Sequence, residues 1–160
     1  MPLFREIAVS LYQTARRCYT FISTKKAVSM MLRKDDILRI VAGYGFARED
    51  FWLMTGASLV LQGIREETHD IDLGVSRALF ERLKAEGHTP FVDEDGDRKI
   101  VLDEYTEVFP EWRPQAVETV CGLPCATLES TLAIKRKLGR PKDRADIARI
   151  EAELARRAGQ

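Results

Sequence analysis

Residues 54–75 read MTGASLVLQGIREETHDIDLGV, and two aspartates near the end, Asp70 and Asp72, interrupt an apolar, strand-like run. Side chains alternate along a strand, so both carboxylates leave one face while Ile71 and Leu73 enter the opposite layer. Carboxylates held this close repel, and without a cation one of them tends to take up a proton. A divalent ion removes the conflict. Hard oxygen donors of this kind suit magnesium, which is commonly held by one or two carboxylates together with substrate phosphates. Upstream, FWLMT (51–55) reads as a short buried strand, and GASLVLQG (56–63) as the helix that follows it. A strand-to-helix turn presents backbone N–H groups and the positive helix end to an anion. Gly56 lets a phosphate approach the backbone, and the Ser58 hydroxyl adds a hydrogen bond. A phosphate cradle and a metal site then share one edge of a sheet.

The flanking segments complete the pattern. Asp35 reads as the cap of a helix with Ile37, Ile40, Val41 and Tyr44 on one face, ended by Gly43 and Gly45. Ser76 caps a helix over 77–86, closed by Gly87. Residues 89–94 and 97–102 form a hairpin around Asp95-Gly96, and 105–110 and 116–120 are further strands. Two helices finish the chain, over 128–138 with Thr127 as cap and over 142–158 with Ile147, Ile150 and Leu154 as the apolar face. The expected fold is α+β, a mixed sheet flanked by helices, with an extra N-terminal helix.

Residues 1–34 form a separate region. Arg5, Arg16, Arg17, Lys25, Lys26, Arg33 and Lys34 face a single acid, Glu6, and Phe4, Ile7, Leu11, Ala15, Cys18 and Ile22 recur at helical spacing. A transit peptide has this composition. So does a docking helix, and a native start at Met30 or Met31 is a third reading; the preferred one is a helix lying on the domain or on a partner. Residues 35–160 then form one domain, long enough to bury a core. The formal net charge of zero gives no global attraction to nucleic acid or anionic membrane. No run of 18 apolar residues spans a membrane. Cys18, Cys121 and Cys125 have no metal-type partners and read as free thiols of a reducing, cytoplasmic compartment.

Gly56-Ala57-Ser58, Leu61, Gly63, Arg65, Thr68 and Asp70-Ile71-Asp72 together resemble the signature of the nucleotidyltransferase superfamily related to DNA polymerase beta. The similarity is greatest to its small bacterial members, among them the antibiotic and the toxin–antitoxin-associated nucleotidyltransferases. The end of the chain is similar too: Leu123-Pro124 leads into a helix with Lys135, followed by Arg140-Pro141-Lys142-Asp143 and Asp146-Ile147. The resemblance covers roughly residues 36–157. It implies magnesium-dependent transfer of a nucleoside monophosphate from an NTP to a hydroxyl, with the metal held by three carboxylates. On that pattern Asp70 and Asp72 bind metal, while Gly56, Ala57 and Ser58 hold the triphosphate. The third carboxylate, which helps activate the acceptor, is Glu107, whose neighbours Thr106 and Val108 have the opposite strand parity. Asp103 is the runner-up and reads as a turn residue. Members often carry Asp where Glu107 stands. Lys135 would neutralise the triphosphate, whereas KRK (135–137) taken alone reads as a solvated helix face. Arg65 binds phosphate or anchors its loop. Lys142 and Asp143 read as a local pair, His69 as structural, His88 as solvated, and Trp52 and Trp112 as core or rim residues.

Competing functions follow from the same residues. The leading one is the magnesium-dependent transferase, acting on a small molecule, a protein or a tRNA. The alternative is a degenerate member that binds nucleotide or a protein partner without catalysis, as half of a toxin–antitoxin pair or as a homodimer. Zero net charge weighs against tight RNA binding, although residues 135–144 form a local basic patch. D-x-D also serves glycosyltransferases, which need a larger nucleotide-sugar domain than this chain supplies.

Overall fold

The computed structural model describes residues 30–160, so the expected N-terminal helix and Cys18 lie outside the described residues. The chain divides into two units between Met30 and Met31, and the second, Met31–Gln160, holds every described helix and strand. Leu32 is fully buried in its core and exchanges backbone hydrogen bonds of 2.7 and 2.9 Å with Thr68.

In chain order the elements are α1 (Lys34–Gly43), β1 (Phe51–Leu53), α2 (Thr55–Leu61), β2 (Ile71–Val75), α3 (Arg77–Ala85), β3 (Phe91–Val92), β4 (Arg98–Val101), β5 (Thr106–Phe109), β6 (Val117–Val120), β7 (Leu123–Ala126), α4 (Leu128–Leu138), a 3₁₀ turn (Pro141–Asp143) and α5 (Arg144–Ala158). The seven strands form one sheet in the order β3-β4-β5-β2-β1-β7-β6. The β2–β5 and β1–β7 pairs are parallel and the others antiparallel. This is the mixed, helix-flanked α+β sheet that the pattern predicts.

Period-2 alternation sorts the sheet into two faces. Phe51, Leu53, Ile71, Leu73, Val75, Ile100, Val108 and Cys125 enter one core cluster with Ile37 and Val41 of α1 and Leu79, Phe80 and Leu83 of α3. The opposite face carries Asp72, Glu107, Phe109 and Trp52. There the Trp52 indole N–H donates to the Trp112 carbonyl (2.8 Å), and the Phe109 and Trp112 rings stack with centroids 3.8 Å apart. Gly74 makes this crossing fit, since a Cβ on it would stand 1.9 Å from Trp52 Nε1 and 2.3 Å from the Trp112 carbonyl oxygen. The expected core or rim place of the tryptophans is thus observed: Trp52 is buried and Trp112 half-buried. Leu59 of α2 joins Leu128, Leu132 and Ile150 in a second cluster that fastens α4 and α5 to the sheet.

Three local readings change. Asp35 does not cap α1. The helix starts before it, and the Arg33 backbone N–H donates to the Asp36 carboxylate at 3.1 Å, leaving both acids in the first turn where the helix dipole favours them. Strand β3 is only two residues long. Strand β7 is additional: Leu123-Pro124-Cys125-Ala126 pairs with β6 through a two-residue turn whose residues, Cys121 (φ 50°) and Gly122 (φ 78°), are both left-handed. That is the primed hairpin geometry, in which Asn usually takes the place of Cys121. The Ser76 and Thr127 caps form as expected, accepting from the Leu79 and Ser130 backbone N–H groups.

Candidate active site

Asp72 is the second residue of β2 and Asp70 immediately precedes the strand; Asp70 is exposed and Asp72 half-buried. The parallel β2–β5 register sets Asp72 opposite Glu107, so their side chains leave the same face. The turn from β1 into α2 passes beside them. Thr55 there has φ 46°, a left-handed conformation rare for a β-branched residue, and its hydroxyl donates to Asp72 Oδ2 at 2.6 Å. Asp103 is occupied differently. It accepts from the Tyr105 and Thr106 backbone N–H groups (2.8 and 2.9 Å) and from the Tyr44 hydroxyl, which makes it the turn residue that leads into β5.

No family model matches the chain, and no curated protein matches it in sequence. Solved structures do match in fold. One is a protein of Thermotoga maritima to which nucleotidyltransferase activity is ascribed, with 18% identity, 79% of this chain and 94% of that one covered, and a TM-score of 0.51. Another is the lincosamide antibiotic adenylyltransferase LnuA with lincomycin bound, with 16% identity, 76% and 98% covered, and a TM-score of 0.51. The fold is nucleotidyltransferase-like.

Within this nucleotidyltransferase-like fold the acidic cluster is short of positive charge. Burial, the Asp70 carboxylate and the Glu107 carboxylate raise Asp72 to about 7, against the pull of the Thr55 hydroxyl and the Lys99 ammonium. A folded-state value above the unfolded one near ~3.9 means that stability is full at low pH and is lost as pH rises through about 7. The metal-free protein should therefore melt lower at pH 8 than at pH 5, by up to ~3 kcal/mol of stability from this group, since part of the loss has already occurred by pH 5. Asp72→Asn should flatten that slope. Thr55→Gly, which removes the hydroxyl, should move the midpoint to higher pH. Thermal melts across pH with a chelator present check all three.

The donor set fits a hard divalent cation in part. Asp70 and Asp72 supply carboxylate oxygens where repulsion calls for a cation, and one or two carboxylates are enough for magnesium when substrate phosphates complete its shell. Glu107 is otherwise engaged: Lys99 Nζ donates to its Oε2 at 2.8 Å. Among the described residues no three acidic, histidine or cysteine side chains are grouped to hold a metal ion in this arrangement.

The expected phosphate cradle is packed inward. Gly56, Ala57 and Ser58 are all buried. The Ser58 hydroxyl donates to the Ala126 carbonyl (3.2 Å) and accepts from the Gln62 amide (2.8 Å). Gly56 serves packing, since a Cβ on it would stand 2.4 Å from Thr68 Oγ1 and 2.9 Å from the Arg65 guanidinium.

Arg65 and Lys135 meet in a network that is hard to see in the sequence. Lys135 Nζ lies 2.6 Å from Asp143 and 3.0 Å from Asp146; Arg140 also donates to Asp143 (2.7 Å) and Arg65 to Asp146 (2.9 Å). Lys135, Asp143 and Asp146 are each at most 5% exposed. The solvated reading of 135–137 therefore holds for Arg136 and Lys137 and fails for Lys135, and Asp143 pairs with Lys135 and Arg140 instead of Lys142. Burial pushes the Asp143 carboxyl up, but the hydrogen bonds from Arg140 and Lys135 prevail and hold it below the usual range. Much of the apparent basic patch at 135–144 is thereby neutralised within the domain. Cys121 and Cys125 are both free thiols, the first exposed and the second buried, with burial pushing Cys125 up to about 12. Among the described residues no helix is long and apolar enough to cross a membrane.

Proposed function

We propose that the protein is a magnesium-dependent nucleotidyltransferase that moves a nucleoside monophosphate from an NTP to a hydroxyl acceptor. The observation that carries this reading is the pairing of Asp72 with Glu107 on one sheet face, with Asp70 at the head of β2 and the Thr55 hydroxyl on Asp72. Asp70 and Asp72 would hold the magnesium ion, which supplies the positive charge that polarises the transferring phosphoryl group. The acceptor oxygen forms a bond to the α-phosphorus as the bond to the β-phosphate oxygen breaks, and pyrophosphate leaves. The hydroxyl proton passes to the Glu107 carboxylate. Thr55 fixes the Asp72 rotamer for this task. Arg65 and Lys135, each satisfied by buried carboxylates, support the loop that feeds β2 and do not reach for the triphosphate. The site is proposed to work in the cytoplasm.

The acceptor class is open to direct test, because the LnuA structure has lincomycin bound. The full chain is incubated with labelled NTPs and magnesium, with lincosamides, a tRNA pool and a cell extract as separate acceptors. A labelled product with any of them is expected, and its absence together with no magnesium-dependent NTP binding sinks the reading. The Lys99–Glu107 pair favours a second reading, a nucleotide-binding member without turnover that works with a protein partner or a second copy. Magnesium-dependent NTP binding without a labelled product in any acceptor pool would select it.

A further inference from the structure

Lys99 stands where it serves no apolar core and no solvated surface. It lies on β4, two residues before Val101, the register partner of Glu107. Its side chain is 13% exposed. Its ammonium bridges two carboxylates, Glu107 at 2.8 Å and Asp93 at 3.1 Å, and lies 5.6 Å from the centroids of both the Phe91 and Phe109 rings. A lysine desolvated to this degree is stabilised by its partners, and the two acids with the two ring faces do so here.

The two acids are not equivalent. Asp93 is fixed by its own hairpin, its Oδ1 accepting from the Asp95 and Asp97 backbone N–H groups at 3.0 Å each. It is a permanent partner. Glu107 is bound to Lys99 alone among the hydrogen bonds found in the described residues, and it faces Asp72 across the β2–β5 register. Glu107 can turn from Lys99 toward a cation at Asp72, and Lys99 then keeps Asp93 and both rings.

We infer that Lys99 is the resident counter-ion of the acidic cluster and competes with a divalent cation for Glu107. The inference rests on the proposed metal-dependent site. In the metal-free protein Lys99 offsets part of the repulsion among Asp70, Asp72 and Glu107. A metal bound by Asp70 and Asp72 must displace it to recruit the third carboxylate. Metal affinity is therefore lower than three carboxylates alone would give.

The test is a calorimetric titration of the metal-free full-length protein with Mn²⁺ alone, without nucleotide. Lys99→Met keeps the length of the side chain and removes its charge. It should bind Mn²⁺ at least about tenfold more tightly than wild type, because a monopole beside the site is gone and Glu107 is released. Lys99→Arg should stay near wild type. Adding Glu107→Gln to Lys99→Met should cancel the gain, since the gain runs through that carboxylate. Lys99→Gln, which keeps an N–H for Asp93, must show the same direction if Lys99→Met does not fold. Equal or weaker Mn²⁺ binding by the neutral variants, with wild type still binding, overturns the inference and leaves the proposed function standing. A gain that persists in the double variant overturns it as well. Failure of both wild type and the neutral variants to bind Mn²⁺ overturns the inference, while the metal-dependent reading, in which substrate phosphates complete the shell, stands or falls on magnesium-dependent NTP binding.

Discussion

Asp72→Asn is expected to lower kcat/KM about a thousandfold while the protein folds at least as well as wild type. The rate loss corresponds to several kcal/mol of transition-state stabilisation, the scale a bound metal contributes to phosphoryl transfer. The gain in stability comes from the same residue. Asp72 is raised to about 7 because burial and the Asp70 and Glu107 charges oppose its ionisation, and an amide feels neither. The Asn oxygen still accepts from the Thr55 hydroxyl, so local geometry survives. Melting temperature at pH 8 and steady-state turnover, measured on one preparation, read the two effects separately. A variant that keeps turnover within about tenfold of wild type removes Asp72 from the chemistry.

Lys135→Met should cost roughly 3–5 kcal/mol of stability, because it leaves two buried carboxylates short of a partner. Asp143 keeps only Arg140 and Asp146 only Arg65, and both arginine side chains are a third or more exposed. Lys137→Met, on the exposed face of the same helix, should change stability by less than about 0.5 kcal/mol. Urea unfolding of both variants decides. A Lys135→Met protein as stable as wild type but unable to bind NTP would return Lys135 to the triphosphate and dismiss the structural network.

The sequence exposed the part of the fold that follows period. Ile71, Leu73 and Val75 alternate with Asp72 and Gly74, and that alternation alone placed β2 and its two faces. Ser76 and Thr127 marked helix starts because a hydroxyl before an apolar-periodic run has one strong local use. Strand β7 was hidden by Pro124, a residue that argues against an interior strand, and by a Cys121-Gly122 turn that lacks the usual Asn. In the candidate site, Glu107 is picked out by the family resemblance together with strand parity, whereas Lys99 could be found only from the β4–β5 register. Lys135 was hidden by company: three consecutive cations carry no periodic signal, and its partners lie 8 and 11 residues on, past a 3₁₀ turn. The i, i+3 spacing of Asp143 and Asp146 was the available clue. Thr55 had no clue, because its role depends on a backbone angle that nothing in threonine favours.

The ion pair between Arg65 and Asp146 ties positions 81 residues apart. Arg65 lies five residues ahead of Asp70, in the loop that delivers β2 to the sheet, while Asp146 belongs to the final helix. The C-terminal helix thus works as a buckle on a strap that begins at the acidic cluster. Damage at the far end of the chain, by a fusion, a nick after Gly139 or a partner prying at α5, would loosen the site without touching a carboxylate that serves it. The domain cannot be shortened from its C-terminus and still be expected to report faithfully on metal or nucleotide.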